Sequence, residues 1–382
     1  MGPIALYRSS MIDYLFLSSN TPTPSLIDKV RQAKSAGRQP LLVYFRRTEE
    51  FIAADLPSDC DSIEYPVTFS GVGVGRLFTL VAFVWWLRNK IRSSMPQGGD
   101  CYTETFDLML MGMVAGVGTP IRHRFEARDL HAVQFSRGPL SVAIRQAERW
   151  AIPRLHMLVL TSEKFWEEYY HRFAVRRRVV VENMPRREPW LGFRRQDEGG
   201  ATFRIGFVGV IRYFDGLVAL VDAVRVLRRD GHSVSVRFAG GGDKIQELKK
   251  YCGEEPGFEF TGPFRYTLDV QQLYTDLDLI YSVYDTRLLN VHYAMPNKFY
   301  EALITRIPIM VAAGTYLEER VQDAGIGIGV PATDSAKIAI ALRTAIARDG
   351  WYAAANVALQ REDAVERQFR QHESAIFTAV LG

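Results

Sequence analysis

The feature that most constrains this chain is an alternation of short apolar runs with amphipathic helical runs, played through twice. In the first half, apolar runs at 14–19, 40–45, 63–69, 100–105, 119–126, 155–161 and 179–182 have strand length. Helical spacing fills the gaps between most of them. Leu26, Ile27, Val30 and Ala33 share one helical face, with Gly37 as a stop. Segments 106–115 and 140–151 repeat the pattern, and Ser162 is placed to cap a helix whose Phe165, Tyr169 and Phe173 form one stripe. Segment 127–138 is polar and reads as a loop. The second half restarts with strands at 203–210, 234–239, 258–261, 278–283, 307–313 and near Ile328. Helices are expected at 216–229, from Asp243, at 268–277, at 297–305, near Leu317 and from Ala336 onward. Between the halves, RREPWLGFRRQDEGGA at 186–201 is charged, carries Pro and Gly, and has no period.

Strands recurring at this spacing, separated by helices, pair in parallel. The fold class expected is therefore α/β, with two Rossmann-like domains whose parallel sheets face each other across a cleft. The expected limits are 1–188 for the N-terminal acceptor-side domain, 189–202 for a linker and 203–360 for the second domain. A last helix, 361–382, is expected to pack back on the first. In such sheets ligands bind beyond the carboxyl ends of the strands.

The 382 residues are 47% apolar and 24% charged, the composition of a folded globular protein. A net charge of +4 suits an anionic ligand or surface. No zinc-finger spacing, basic heptad region or aromatic-glycine RNA signature is present, so no nucleic acid partner is expected. Cys60, Cys101 and Cys252 are scattered and odd in number, which makes neither a disulfide framework nor a metal cluster. The N-terminal stretch lacks a signal-peptide layout, so a cytoplasmic location is expected.

One segment bears on membranes. VGVGRLFTLVAFVWWL at 72–87 is followed by Arg88, Lys90 and Arg92. Its uninterrupted part, 77–87, is too short to span a bilayer. Two readings stand: a core helix of the first domain, or an interfacial helix docking at the anionic inner face of the plasma membrane.

Segment 285–314, DTRLLNVHYAMPNKFYEALITRIPIMVAAG, concentrates candidate chemistry. Residues 285–296 read as a loop, and Asn297 then opens a short helix. A helix N-terminus presents unpaired N–H groups and a partial positive charge, so Lys298 in its first turn makes an anion site. Glu301 lies one turn further on the same face and can accept hydrogen bonds from sugar hydroxyls. An ordinary capped helix with a surface Lys and Glu fits the same residues. Three further features fall where second-half strands end. They are Gly209–Gly216 with Arg212, Gly240-Gly241-Gly242, and Gly262–Tyr266, which is placed to cradle a base. In the first half Glu126, Arg128 and Asp129 follow a strand and are the catalytic candidates, placed to orient or deprotonate an acceptor hydroxyl, although a local salt-bridge cluster fits the same residues. His131 is a candidate sugar contact, and His123 lies on the opposite strand face. Glu104 and Ser18-Ser19-Asn20 are lesser candidates.

The ordered motifs FVGVIRYFDG, FAGGG, FEFTGPF, LYTDLDLIYSVY and PNKFYEALITRIPIMVAAG resemble the donor-nucleotide domain of GT-B glycosyltransferases, most closely glycosyltransferase family 4. FEARDLH at 125–131 is similar to the E-x-R-D element of bacterial members that build surface polysaccharides, and the resemblance runs over about the whole chain. It implies a nucleotide diphosphosugar donor of UDP or GDP type, with no cofactor and no metal. It implies retention at the sugar, and a hydroxyl acceptor on a polysaccharide or a polyprenyl-linked glycan. Arg212 and Lys298 fall at the phosphate positions and Glu301 at the ribose position. Glu126, Arg128 and Asp129 fall near the acceptor. Two positions depart from the pattern. Asp215 stands where a lysine is usual, and Tyr293 stands where the first glutamate of E-x7-E normally touches the sugar. A non-catalytic nucleotide-sugar-binding subunit and a nucleotide-sugar epimerase are the rival expectations.

Overall fold

A computed structural model describes residues 4–6, 11–45, 60–65, 74–196 and 201–382. The chain forms two compact units: Met1–Glu182 with Gln371–Gly382, and Asn183–Arg370. Residues 66–69 of the strand expected at 63–69, residues 72–73 of the apolar segment and residues 197–200 of the linker lie outside the described residues.

The first unit contains strands β1 (Ile4–Leu6), β2 (Tyr14–Ser18), β3 (Pro40–Phe45), β4 (Asp61–Tyr65), β5 (Gly99–Thr103), β6 (Ile121–Ala127), β7 (Met157–Leu160) and β8 (Arg178–Val180). Their order in the sheet is β1-β4-β3-β2-β5-β6-β7-β8. Only β1 runs antiparallel; the other seven are parallel. Strands β2 and β3 are buried along their whole length, which is why they read as continuous apolar runs rather than alternating ones. Alternate residues still serve opposite faces. Leu15, Leu17 and Val43 pack with Phe83, Leu87 and Ile91 of the Val74–Ser94 helix. Tyr14, Phe16 and Leu42 pack with Leu26 and Val30 of the Pro24–Ser35 helix and with Ile376 and Val380.

The second unit contains β9 (Phe203–Val208), β10 (Val234–Ala239), β11 (Phe258–Gly262), β12 (Leu279–Ser282), β13 (Ile309–Ala312) and β14 (Gly327–Val330). All pairs are parallel, in the order β11-β10-β9-β12-β13-β14. Chain order therefore reverses between β9 and β12. A crevice opens at such a switch point because the following helices leave to opposite faces. Ile205 and Phe207 pack with Leu217, Leu220 and Val224 of the Phe214–Arg229 helix. Val208, Ile280 and Val311 pack on the other face with Tyr274 and Phe299.

Two segments expected as loops contain short helices. Ala132–Phe135 lies within 127–138, where His131 and Gln134 form a reciprocal cap that closes one turn. Leu289–Tyr293 lies within 285–296, and its five residues include no breaker. The stripe of Phe165, Tyr169 and Phe173 is buried as expected, but the α-helix ends at Glu168 and a 3-10 turn, Tyr170–Arg172, carries the chain on.

Candidate functional site

The β9/β12 switch point carries a cavity of about 370 Å³. Gly209, Arg212 and Tyr213 line it from the turn after β9, and Ser282 and Tyr284 from the end of β12. Three helices begin at its wall. Tyr213 is the cap residue of Phe214–Arg229, Asn297 that of Lys298–Thr305, and Thr315 that of Tyr316–Ala324. The starts of Phe214–Arg229 and Lys298–Thr305 have no side-chain cap and bring unpaired N–H groups and partial positive charge to the same space, whereas Thr315 caps the third by accepting from Glu318 N–H. Arg212 and Lys298 add two cationic side chains. Apolar and aromatic side chains complete it, among them Phe264, Tyr266, Val291 and Leu317. A cavity of this kind holds a ligand with an anionic part and a flat or apolar part.

Beneath the cavity floor lies a buried carboxylate. Glu301 is fully buried, and four donors saturate it. Its Oε1 accepts from the Tyr266 hydroxyl at 2.8 Å and from Asn297 Nδ2 at 2.7 Å. Its Oε2 accepts from the Tyr274 hydroxyl and from Lys298 Nζ, and Lys298 also donates to the Tyr274 hydroxyl at 3.0 Å. Tyr266, Asn297 and Lys298 all line the cavity, whereas Glu301 does not. The Asn297 side chain reaches this carboxylate instead of capping its own helix.

The glycine triplet serves the backbone of the unit. A Cβ on Gly240 would lie 1.9 Å from the Gly209 carbonyl oxygen, and one on Gly242 would lie 2.2 Å from that of Ile211. The β9 and β10 turns lie flat on each other, with Gly209 N–H donating to Ala239 O and Ile211 N–H to Gly241 O, both at 2.8 Å. Gly240, Gly241 and Gly262 do not line the cavity; Gly209 does.

In the first unit the strand ends hold a closed ionic cluster. Glu126 and Lys29 are both fully buried and paired at 3.1 Å, and the Tyr102 hydroxyl donates to Glu126 at 2.8 Å. Burial alone would raise the Glu126 carboxyl, but Lys29, Arg128 and the Tyr102 hydroxyl outweigh it and hold it below the ordinary range. Arg128 donates to Glu104 at 2.6 Å and to Thr23 at 3.0 Å, and Ser18 donates to Glu104 at 3.0 Å. Burial pushes Glu104 up despite Arg128. Asp129 and His131 are exposed, and His131 caps the Ala132–Phe135 turn.

Residues 202–348 match the family Glycosyl transferases group 1. Sucrose-phosphate synthase from Thermosynechococcus elongatus superposes with a TM-score of 0.68 at 14% identity, covering 96% of this chain and 100% of that one. A glycosyltransferase from Rickettsia africae gives 0.70 at 11%, covering 97% and 99%. HepE from Anabaena, solved in complex with UDP and glucose, gives 0.68 at 16%, covering 97% and 100%. The chain has the GT-B glycosyltransferase fold. No curated protein sequence matches it.

Within this GT-B chain, the cavity unites Gly209, Arg212, Asn297 and Lys298 of the donor-side residues anticipated from sequence. Glu301 requires a correction. The ribose contact implied by the resemblance finds no open lone pair, since four protein donors surround the carboxylate. Glu126 requires another, because it is enclosed by Lys29 and Tyr102 and does not face solvent. Tyr293 sits in the Leu289–Tyr293 helix and is not a lining residue. Asp215, at the position where lysine was expected, pairs at 2.5 Å with Arg287, which also holds Asp285 at 2.7 Å. Tyr213, Ser282, Tyr284, Asn290 and Thr315 were not anticipated. Their signal was position: Ser282 ends β12 and Tyr284 follows it, Tyr213 and Thr315 are the cap residues of two helices, and Asn290 lies in the first turn of Leu289–Tyr293.

Proposed function

We propose that this chain transfers a sugar from a nucleotide diphosphosugar to a hydroxyl group. The observation that carries this reading is the convergence of two uncapped helix starts, Arg212 and Lys298 on one cavity at the switch point. Those groups suit a diphosphate, which is the leaving group of the reaction. Its developing negative charge is stabilised most by donors already held in place. The aromatic wall of Phe264, Tyr266 and Tyr284 suits a base and ribose. Glu301 acts through its neighbours, holding Tyr266, Asn297 and Lys298 at the cavity wall. With cationic side chains and helix ends present, the leaving group is stabilised without a metal ion. Retention at the sugar, a UDP or GDP donor, and a polysaccharide or lipid-linked acceptor belong to the same proposal and rest on the motif order of the sequence.

A non-catalytic sugar-nucleotide-binding subunit is the second reading, favoured by the enclosure of Glu126. Its carboxylate, tied to Lys29 and Tyr102, is withheld from proton transfer. Incubation with a panel of nucleotide sugars, with and without a membrane extract as acceptor source, separates the two. Release of nucleoside diphosphate that depends on acceptor, and falls at least about a hundredfold in Lys298→Ala, is the expected result. Donor binding without release from any donor sinks the transferase reading.

A further inference from the structure

The Val74–Ser94 helix is apolar on two opposite faces. Phe83, Leu87 and Ile91 are buried against the first unit's sheet. Phe78, Val81 and Trp85 are 72%, 61% and 68% exposed. At helical spacing these three fall within an arc of about 60° and along roughly 10 Å of the axis. The neighbouring Phe106–Ala115 helix and its exit extend the patch with Val114 and Val117, which are 51% and 58% exposed. Arg88 ties the two together, donating to Ala115 O at 3.2 Å and Val117 O at 2.9 Å. Single exposed apolar residues need no explanation, but a contiguous aromatic and aliphatic stripe on a helix already buried on its other side does.

The charges beside the stripe identify what covers it. Of the basic residues in the helix, Arg88 and Arg92 fall on the stripe's side, within about 80° of Phe78, and residues 74–94 contain no acidic residue. Self-association through a two-fold interface would bring these like charges together. A bilayer of anionic lipids neutralises them while it accepts Phe78 and Trp85 at the headgroup boundary. No helix among the described residues is long and apolar enough to cross a membrane. We propose that this face docks the first unit on an anionic bilayer surface, with Phe78, Val81 and Trp85 inserted and Arg92 among the lipid headgroups. The inference stands apart from the transferase reading, since none of these residues belongs to the cavity.

Flotation of the full chain with vesicles tests it. The protein is expected to float with vesicles containing about 30% phosphatidylglycerol, to stay behind with neutral phosphatidylcholine vesicles, and to be released by raised salt. The pair Phe78→Ser and Trp85→Ser is expected to lower the bound fraction at least about tenfold, and Arg92→Gln about fivefold. Both lie at exposed positions, and an unchanged thermal melt certifies the variants as folded. Three outcomes would overturn the proposal. One is no flotation with anionic vesicles. Another is equal flotation of wild type and the double variant. The third is a dimer in sedimentation that Trp85→Ser dissociates, which would make the face an interface between two copies.

Discussion

Glu301 shows how a buried charge can control a cavity it does not touch. Its two oxygens distribute four hydrogen bonds, and three of the donors face the cavity. Glu301→Gln replaces one oxygen by an amide group that points hydrogens at donors and leaves Lys298 without its countercharge. The expected cost is about 3 kcal/mol or more of stability in the second unit, together with at least about tenfold weaker nucleotide binding. Calorimetric titration with UDP and 2′-deoxy-UDP distinguishes an indirect role from a direct one. An equal penalty for both ligands is expected of a positioning residue. A smaller penalty for the deoxy ligand would mean that the carboxylate binds the 2′-hydroxyl itself. That Lys298 belongs at an anion site was readable from its place in the first turn. The saturation of Glu301 was not, because Tyr266 and Tyr274 approach from residues 35 and 27 positions away. Enclosure of Glu126 was hidden for the same reason, since Lys29 lies 97 residues from it.

At the level of elements, strands and long helices were legible because both carry their period in the sequence. The Phe106–Ala115 helix and β10 coincide with the segments read from it. Short helices were not legible: Leu289–Tyr293 is too brief to show a period, and His292 secures it by approaching Thr286 O at 2.6 Å and Gly314 O at 2.9 Å. The glycine triplet was recognised, but its partner was another turn and not a ligand. Gly240 has φ 139° and no room for a Cβ. Gly240→Ala is therefore expected to destabilise the second unit by about 2 kcal/mol or more and to displace the Gly209 turn from the cavity. Gly37→Ala, where φ is 78° but no atom lies within 4 Å, serves as the comparison and is expected to cost about 1 kcal/mol. Denaturant melts and nucleotide titration measure both.

Over the whole molecule, the described histidines that burial depresses, His123, His156 and His372, all lie in the first unit. Burial drives His123 down to about 4, and burial reinforced by Lys29 drives His372 to about 4. A histidine depressed in the folded state stays neutral while its unfolded counterpart takes up a proton. The associated stability is complete above pH 6.5 and drains away as pH falls from there toward 4. The slope approaches ~1.4 kcal/mol per pH unit for each histidine. Lowering the pH through this window is expected to expose the first unit to protease before the second, and His123→Gln to flatten the dependence. An order of cleavage independent of pH would contradict this. The division of the chain also bears on its synthesis. The second unit is one continuous stretch, Asn183–Arg370, whereas the first recruits Gln371–Gly382. Tyr14 donates to Val380 O across 366 residues, and Arg124 donates to Ala379 O. On a ribosome, the part made earlier thus waits for a stretch made after the second unit, and that later-made unit can mature while its predecessor still lacks one wall.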